Sequence, residues 1–179
     1  MQSYETIRQQ FKPKHIRVLL IAESPPPAAS VQSSRQFYYT DRVRKDDRLF
    51  TNTIRAMYDE AADLPEADLE AKKQAWLERF QTDGYYMIEA LTESQEHEVT
   101  KEDRQERIRL GLPQLICRVR ELAAPDTKIV LIKSNVFVAA AQPLREAGFR
   151  VLNIQLLDYP GRFNQRAYRE KLRALLQIP

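Results

Sequence analysis

The 179-residue sequence predicts an α/β fold, a three-layer α/β/α sandwich around a four-stranded, mainly parallel sheet. The first observation behind this prediction is a set of short apolar runs at residues 16–22, 85–91, 128–132 and 150–154. Such runs are typical of parallel strands that are buried on both faces. The second observation is that helical patterns lie between consecutive runs, as right-handed crossovers between parallel strands require.

The elements up to the second strand follow from local patterns. A short amphipathic helix is predicted over residues 3–11, and residues 16–22 should form the central strand. After a polar, irregular stretch, apolar residues at helical spacing predict a helix over residues 49–61. A weaker helical pattern covers residues 65–81 and ends near Gly84, which suits the position after a helix. Residues 85–91 then predict the second strand.

The second half of the chain repeats the alternation. Thr100 opens a capping-box pattern, T-K-E-D, which predicts a long helical region through residue 123 that Pro113 divides. A third strand follows, and Ser134 or Asn135 is expected to cap the helix after it. The remaining elements are a fourth strand at residues 150–154, a turn-rich loop at residues 158–166 and a closing helix that extends to residue 177.

Glu23 is the first candidate for a catalytic residue. Glu23 and Ser24 come directly after the central strand, and prolines at positions 25 to 27 lack the N–H donors that a helix or sheet needs. The chain must therefore leave the sheet as a stiff, extended loop. Ligands of open parallel sheets bind beyond the carboxyl ends of the strands. The competing interpretation is that Glu23 and Ser24 merely solvate a strand end.

Other polar residues end up at the same edge of the predicted sheet. Glu89 lies near the end of the second strand, and Lys133, Ser134 and Asn135 follow the third. A helix N-terminus after that strand would be a ready anion site. The carboxyl ends of the parallel strands should thus bring these residues together with the loop at residues 158–166.

Basic residues form two clusters that flank this edge, at residues 35–48 and 162–173. Such clusters suit a polyanion, although the second could equally be the solvated face of the closing helix. Within the first cluster lie Phe37, Tyr38 and Tyr39. Two interpretations of this aromatic triplet stay open, because the rings could pack into the core or stack on a nucleic-acid base.

Composition excludes several classes of site. Cys117 is the only cysteine, so no disulfide or cysteine-ligated zinc or iron–sulfur cluster can form, and Cys117 is expected to be a small core residue. With only His15 and His97 available, no metal site is indicated, and no cofactor is expected. No apolar run reaches 18 residues and no signal core precedes the fold, so we expect a cytoplasmic, monomeric protein without membrane contact. Residues 1–179 should form a single domain.

These segments, in this order, resemble the uracil-DNA glycosylase superfamily. The stretch I-A-E-S-P-P at residues 21–26 occupies the place of the family's first motif, a strand that ends in a short Pro-containing loop. Glu23 then matches the water-activating acid of some branches. The resemblance implies that Phe37, Tyr38 or Tyr39 stacks on a flipped base, and that Glu89 stands where the family has a base-reading Asn.

The last family motif, His-Pro-Ser-Pro followed by a DNA-wedging loop and helix, falls on residues 157–160 and 161–165. In the simplest register Leu157 replaces the family's histidine, which holds the departing base as an anion. The resemblance covers almost the whole layout of the chain, although its motifs are degenerate. Fold does not fix function, so the activity has to be argued from the site.

The first functional hypothesis is a DNA repair glycosylase that flips a nucleotide out of duplex or single-stranded DNA and hydrolyses its N-glycosidic bond. The second is a non-catalytic nucleic-acid-binding module on the same fold, and the third is an enzyme that acts on free nucleotides. Under the first hypothesis, Lys133 and Arg162 would serve phosphates or the departing base. The residues expected to contact phosphates or DNA are Ser24, Arg42, Arg44, Lys133, Ser134, Asn135, Arg162 and Gln165.

Glu89 also predicts which base is recognised. An Asn amide can accept from N3–H of uracil and donate to O4, whereas an ionised carboxylate only accepts. Facing O4 with a carboxylate leaves a repelled polar group in a dry pocket, which costs roughly 1–3 kcal/mol. Plain uracil should therefore be a poor substrate, and an amino-bearing or modified base should fit better. A Glu89 that is protonated by burial, or that pairs with Lys133 and turns away, would escape this conclusion.

Overall fold

The computed structural model describes residues 4–26, 37–40, 47–94 and 100–178. The helices are α1 (Tyr4–Gln10), α2 (Arg48–Met57), α3 (Glu66–Ala71), α4 (Lys73–Thr82), α5 (Lys101–Leu110), α6 (Leu112–Leu122), α7 (Ser134–Glu146) and α8 (Gln165–Leu176), with a 3₁₀ turn at Asp59–Ala61 after α2. The strands are β1 (Val18–Ala22), β2 (Tyr85–Glu89), β3 (Lys128–Leu131) and β4 (Arg150–Val151). The alternation of helices and strands is the one that the sequence predicts.

The four strands form one sheet in the order β2-β1-β3-β4, and every neighbouring pair is parallel. This arrangement confirms the predicted α/β fold and the interior position of β1. Ala22 lies opposite Glu89 in the register of β1 and β2. The backbone N–H of Leu91 donates to the carbonyl oxygen of Glu23 at 2.9 Å, so the pairing continues just beyond both strands. Glu23 and Glu89 are thus held at the same edge of the sheet.

The helices pack in two groups on either side of the sheet. The chain moves from β1 to β2 in one direction and from β2 to β3 and β4 in the other. Because parallel crossovers are right-handed, the helices before β2 and the helices between β2 and β4 lie on opposite faces. In agreement, α2 packs against α8 while α5 and α6 pack against α7.

The core is made by the strands and by a large group of aromatic rings. All five residues of β1 are buried, as are four of the five in β2. Tyr38 contacts Phe50 of α2 and Phe80 of α4, with ring centroids 5.8 and 5.5 Å apart. Tyr39 packs on Tyr86, and its hydroxyl accepts a 2.6 Å hydrogen bond from the backbone N–H of Met87. The aromatic triplet therefore joins the helical layer to β2.

Four elements differ from their predicted form. The helix predicted over residues 49–61 ends at Met57, because the backbone of Tyr58 is extended (φ −130°, ψ 115°). The helix predicted over residues 65–81 is interrupted at Lys72, whose backbone leaves helical geometry (φ −105°, ψ 18°). The fourth strand has only two residues, because the side chain of Asn153 continues its pairing: Asn153 Oδ1 accepts from the N–H of Leu131 at 2.7 Å, and Nδ2 donates to the Leu131 carbonyl oxygen at 2.9 Å. The fourth difference is the start of α7, described below with the site.

Cys117 is exposed, so the prediction of a core position was wrong. On α6 the buried residues are Leu115 and Val119, four apart on one helical face. Cys117 lies midway between them in sequence and so points to the opposite side. None of the helices in the described part of the chain is long and apolar enough to cross a membrane.

Candidate functional site

Glu23 lies at the carboxyl end of β1, in the middle of the sheet, and its side chain is almost fully buried (1% exposed). Three donors from two other crossovers converge on its carboxylate. Lys133 Nζ and Arg104 Nη1 lie 2.7 and 2.9 Å from Oε1. Asn135 Nδ2 donates to Oε2 at 2.7 Å. The end of β3, the start of α7 and the first half of α5 thus all contact this one side chain.

The donors decide the charge of Glu23. Burial alone would raise the pKa of a carboxyl group, because it disfavours the ionised form. Hydrogen bonds from Lys133, Asn135 and Arg104, together with the charge of Lys133, outweigh this effect and lower the pKa of Glu23. Glu23 is therefore a carboxylate at neutral pH. Among the described contacts, this one carboxylate is bound by two cations, Lys133 and Arg104.

Lys133 is held in an unusual backbone conformation (φ 81°, ψ 140°), which a residue with a side chain rarely adopts. Such strain costs about 1–3 kcal/mol and persists where surrounding contacts fix it. Here the backbone N–H of Lys133 donates to the Leu157 carbonyl oxygen at 2.7 Å, and the ammonium group binds Glu23. This backbone conformation turns the chain from β3 into α7 and keeps the Lys133 side chain at the edge of the sheet.

The predicted cap of α7 was wrong. The residue before the helix is Lys133, and no side chain caps the helix there. Ser134 and Asn135 are the first two helical residues. Because Asn135 donates to Glu23, its amide holds the carboxylate and does not cap the backbone. Ser134 is half-buried beside it.

Glu89 is also buried, and its partners are arginines of α1 and α6 instead of Lys133, the partner that the sequence suggested. Arg8 of α1 forms an ion pair with the Glu89 carboxylate, and Arg118 of α6 donates to the backbone oxygens of Glu89 and Ala90 at 3.0 and 2.7 Å. Burial raises the pKa of Glu89, and the positive charges of Arg8 and Arg118 offset only part of that effect. The expected alternative, a pair with Lys133, is not formed, because Lys133 binds Glu23.

A small cavity of about 30 Å³ lies between these groups. The described residues that line it include Glu23, Glu89, Lys133, Tyr38 and Tyr159. This volume is about that of one water molecule and is far below the roughly 300 Å³ at which ligand pockets begin. The cavity can thus hold a water molecule, and a nucleobase would require the lining side chains to move.

Two hydroxyl groups at this cavity support a polar occupant. The hydroxyls of Ser24 and Tyr38 are buried and have no hydrogen-bond partner in the described part of the chain, and both residues line the cavity. Buried polar groups are nearly always satisfied, in many cases by an ordered water. An ordered water in the cavity would satisfy both hydroxyls, whereas a contact of Ser24 with phosphate or DNA stays a prediction.

The three rings of the aromatic triplet pack into the core, which was the first of the two interpretations left open by the sequence. Phe37, Tyr38 and Tyr39 are each at most 3% exposed. Phe37 lies against Tyr4 and Tyr39 against Phe11, so residues of α1 and of the segment after it cover these two rings. A ring enclosed on both faces cannot stack on a base. The expected stacking role is thus corrected for Phe37 and Tyr39, and only Tyr38 reaches the cavity.

Four of the eight residues predicted to contact DNA lie at or beside the Glu23 site, namely Ser24, Lys133, Ser134 and Asn135, and the other four lie elsewhere. Arg42 and Arg44 lie outside the described residues. Gln165 begins α8 and is half-buried, where its side-chain oxygen accepts a 3.2 Å hydrogen bond from Asn52. Arg162 is exposed, with its guanidinium 5.5 Å from the ring centroid of Phe163.

The second basic cluster is accordingly only partly a free surface. Arg169 donates to Asn52 Oδ1 at 2.7 Å, and Arg173 binds Asp59 at 2.7 Å, so both join α8 to α2 and its following turn. Arg166 is exposed and pairs with Glu170 on the same helix. The outward side of the loop before α8 also carries exposed apolar residues, Ile154 and Phe163.

Arg104, Arg8 and Arg118 are the site residues that sequence reasoning missed. Arg104 is separated from Glu23 by 81 positions, as is Arg8 from Glu89. Each lies in a helix where an arginine is an ordinary surface residue. The one available signal was a count of charges: two carboxylates at buried strand ends require cations, and Lys133 alone could not neutralise both.

No protein-family model matches this sequence, and no curated protein or solved structure is similar to it. The expected relationship to the uracil-DNA glycosylase superfamily therefore stays a prediction.

Proposed function

We propose that this protein is a DNA N-glycosylase whose reaction centre is formed by Glu23 and Lys133. The observation that carries the proposal is the buried Glu23 carboxylate at the end of the central strand, bound by Lys133, Arg104 and Asn135 beside a water-sized cavity. The carboxyl edge of a parallel sheet is where open α/β folds bind ligands. The resemblance in layout to uracil-DNA glycosylases supplies the choice of reaction.

The charges at the site suit the leaving group of this reaction. In hydrolysis, a water oxygen bonds to C1′ of the sugar, the C1′–N bond breaks, and its electron pair leaves with the base. The departing base is therefore an anion until it takes up a proton. Two cations around one carboxylate favour such an anion, since preorganised charge acts most strongly where new charge develops. Lys133 is the donor that takes the place of the family's histidine.

Glu23 orients the attacking water in this proposal. Its lowered pKa keeps it ionised, so it accepts a hydrogen bond from water and is a poor final acceptor for the proton. The proton released from water passes instead to the departing base. The buried hydroxyls of Ser24 and Tyr38 lie at the same cavity and offer further hydrogen bonds to the water.

Substrate binding requires the site to open, because the cavity has room for about one water molecule. Tyr159, on the loop before α8, is half-buried and lines the cavity. The same loop carries the exposed Arg162 and Phe163 on its outer side. A nucleic acid that contacts this outer side would press on the segment that covers the cavity. We infer that DNA binding and opening of the site are linked through this loop.

Glu89 sets the preference among bases. Its carboxylate lines the cavity and pairs with Arg8, so it presents acceptor oxygens to a ligand. A base with an amino group on the facing edge gains a hydrogen bond there, whereas O4 of uracil is repelled. We therefore expect wild-type protein to excise amino-bearing or modified bases in preference to plain uracil, and Glu89→Asn to raise uracil excision.

The proposal is tested by an abasic-site assay on duplex and single-stranded oligonucleotides that carry a panel of deaminated, oxidised and alkylated bases. Strand cleavage after alkali reports excision, which should fall by at least about 100-fold in Glu23→Gln and Lys133→Met. Glu106→Gln on the exposed side of α5 is the matched control and should retain wild-type activity. Absence of excision of every base by the wild-type protein would refute the proposal.

Two observations favour a second candidate, a non-catalytic nucleic-acid-binding module. The small volume of the cavity and the full engagement of Glu23 describe a site that is closed as it stands. Such a module would bind oligonucleotides with a steep salt dependence and show no excision. Glu23→Gln would then leave DNA affinity unchanged, while Arg162→Glu would weaken it.

A further inference from the structure

A second concave site lies at the opposite edge of the sheet. The segment that leads into β1 and the turn between α4 and β2 enclose a groove of about 550 Å³. This volume is within the range of about 300–1,000 Å³ that small-molecule sites occupy. The five-residue strand β1 separates the groove from Glu23, a distance of roughly 17 Å at about 3.3 Å per residue. A small ligand in this groove therefore cannot contact the Glu23 site.

The groove is lined by basic side chains. Lys12, Lys14, His15 and Arg17 all border it and are all exposed, and the described lining contains no acidic residue. The ring of His15 contacts Asp126, with Nε2 3.0 Å from the carboxylate. Lys12 and Lys14 form no ion pair with the described residues. Three permanent positive charges thus face one concave surface with little compensation.

The backbone beneath these side chains is firmly fixed. Gln81 of α4 donates to the carbonyl oxygens of Gln10 and Lys12, both at 3.0 Å, and so holds the segment after α1. The N–H groups of Arg17 and Val18 donate to the Gly84 carbonyl oxygen at 2.8 and 3.2 Å. The cations therefore extend from a preorganised frame, which lowers the entropic cost of binding a ligand.

Gly84 allows the floor of the groove to form. It has φ +80°, and a Cβ atom at this position would lie 2.8 Å from Cγ of Arg17. Any larger residue would thus push the Arg17 side chain out of place and would also strain the backbone. The close approach keeps the stem of Arg17 along the groove.

We propose that this groove is a binding site for a ligand that carries several phosphate groups. Phosphates match the clustered lysines and arginine because each cation can give a charge-assisted hydrogen bond to a phosphate oxygen. No carboxylate is among the described residues that line the groove, which argues against a metal or a cationic ligand. The volume accommodates a short oligophosphate, whether it is free or part of a nucleic-acid strand. The proposal is independent of the chemistry at Glu23.

The test measures binding of inorganic tripolyphosphate to the full chain by titration calorimetry at low salt, with oligo-dT in a second arm. The double variant Lys12→Glu/Lys14→Glu should bind tripolyphosphate about 10-fold more weakly or worse, because two attractive charges become repulsive. The matched control is Lys72→Glu/Lys101→Glu, which makes the same charge change at exposed positions that do not line the groove. This control should retain affinity within about 2-fold.

The outcomes separate the possibilities. Loss of tripolyphosphate binding in the groove variant alone supports a site for free oligophosphates. Loss confined to oligo-dT shows that a nucleic-acid strand supplies the phosphates. Equal affinities of the groove variant, the control variant and the wild type for both probes overturn the proposal. Glu23→Gln should bind tripolyphosphate with wild-type affinity, because the groove is separated from Glu23 by β1. The binding result therefore holds whether or not the glycosylase proposal fails. Gly84→Ala, checked for folding by circular dichroism, should weaken the same binding.

Discussion

Glu89 is the last residue of β2, and Glu23 follows Ala22, the residue of β1 that lies opposite Glu89. Both carboxylates are buried, yet their pKa values move in opposite directions. Glu23 accepts from three side-chain donors, two of them cationic. Glu89 has one guanidinium on its carboxylate, while Arg118 binds the backbone beside it. Burial costs both groups, so the number of donors that reach the carboxylate decides which charge state prevails.

The difference also assigns the two residues to different tasks. A carboxylate fixed in the ionised form can orient water and hold cations in place. A carboxylate that pairs with a single guanidinium keeps acceptor oxygens for a ligand, although burial makes its ionised form less stable. Within the proposed glycosylase, Glu23 therefore orients the attacking water, and Glu89 recognises the base. Pairs of acids with divergent pKa values are a common way to divide such roles.

The largest expected effect comes from removing the Glu23 carboxylate. Glu23→Ala removes the buried carboxylate to which Lys133 and Arg104 both bind, and the side chains of these two cations are only 27% and 14% exposed. We expect a loss of about 3 kcal/mol in the free energy of unfolding, measured by urea denaturation at neutral pH. Glu106→Ala, at an exposed carboxylate of α5, should change it by less than about 0.5 kcal/mol. Equal losses in the two variants would mean that the buried cluster contributes no net stability.

Much of this arrangement follows from local sequence and the rest does not. The strands and Glu23 at the end of β1 could be predicted, because apolar runs and proline breaks are local signals. The donors to Glu23 and Glu89 could not, since Arg104 and Arg8 approach them only through the packing of helices on the sheet. The same limit explains the aromatic triplet: the sequence placed three rings among arginines, and only tertiary contacts with α1, α2 and α4 bury them.

The pH dependence of stability should separate the two acids by sign. The pKa of Glu23 is lowered below its ordinary value of 4.5, so its contribution is present above that value and is lost as the pH falls through the folded-state pKa. The pKa of Glu89 is raised above 4.5, so its ionisation costs stability as the pH rises from that value. Each unit of difference between folded and unfolded pKa is worth about 1.4 kcal/mol.

Unfolding free energies of Glu23→Gln and Glu89→Gln, measured from pH 7 down to about pH 3, test these signs. Glu23→Gln should lose less stability on acidification than wild type, because the group that titrates unfavourably is gone. Glu89→Gln should lose more, because the wild-type protein is relieved of a buried charge when Glu89 takes up a proton. Parallel curves for the two variants would contradict the assignment of opposite pKa shifts.

The smallest effect concerns the neutral donor to Glu23. Asn135→Ala removes the 2.7 Å hydrogen bond to Oε2 but leaves both cations on Oε1, so the carboxylate stays ionised at neutral pH. We expect a loss of about 1 kcal/mol in unfolding free energy, the usual net value of one hydrogen bond. Ser134→Ala, next to it at the start of α7, is the matched control and should stay within about 0.5 kcal/mol of wild type.

The fall in unfolding free energy at acidic pH, called the acid limb here, is a second and independent measurement for Asn135→Ala. With one donor fewer, the pKa of Glu23 rises towards its ordinary value, and the loss of stability on acidification begins at a higher pH than in wild type. The lowered pKa of Glu23 depends on three donors acting together, so the limb should move although both cations remain. An acid limb identical to that of Ser134→Ala would show that Lys133 and Arg104 alone fix the charge of Glu23 and that Asn135 only packs beside it.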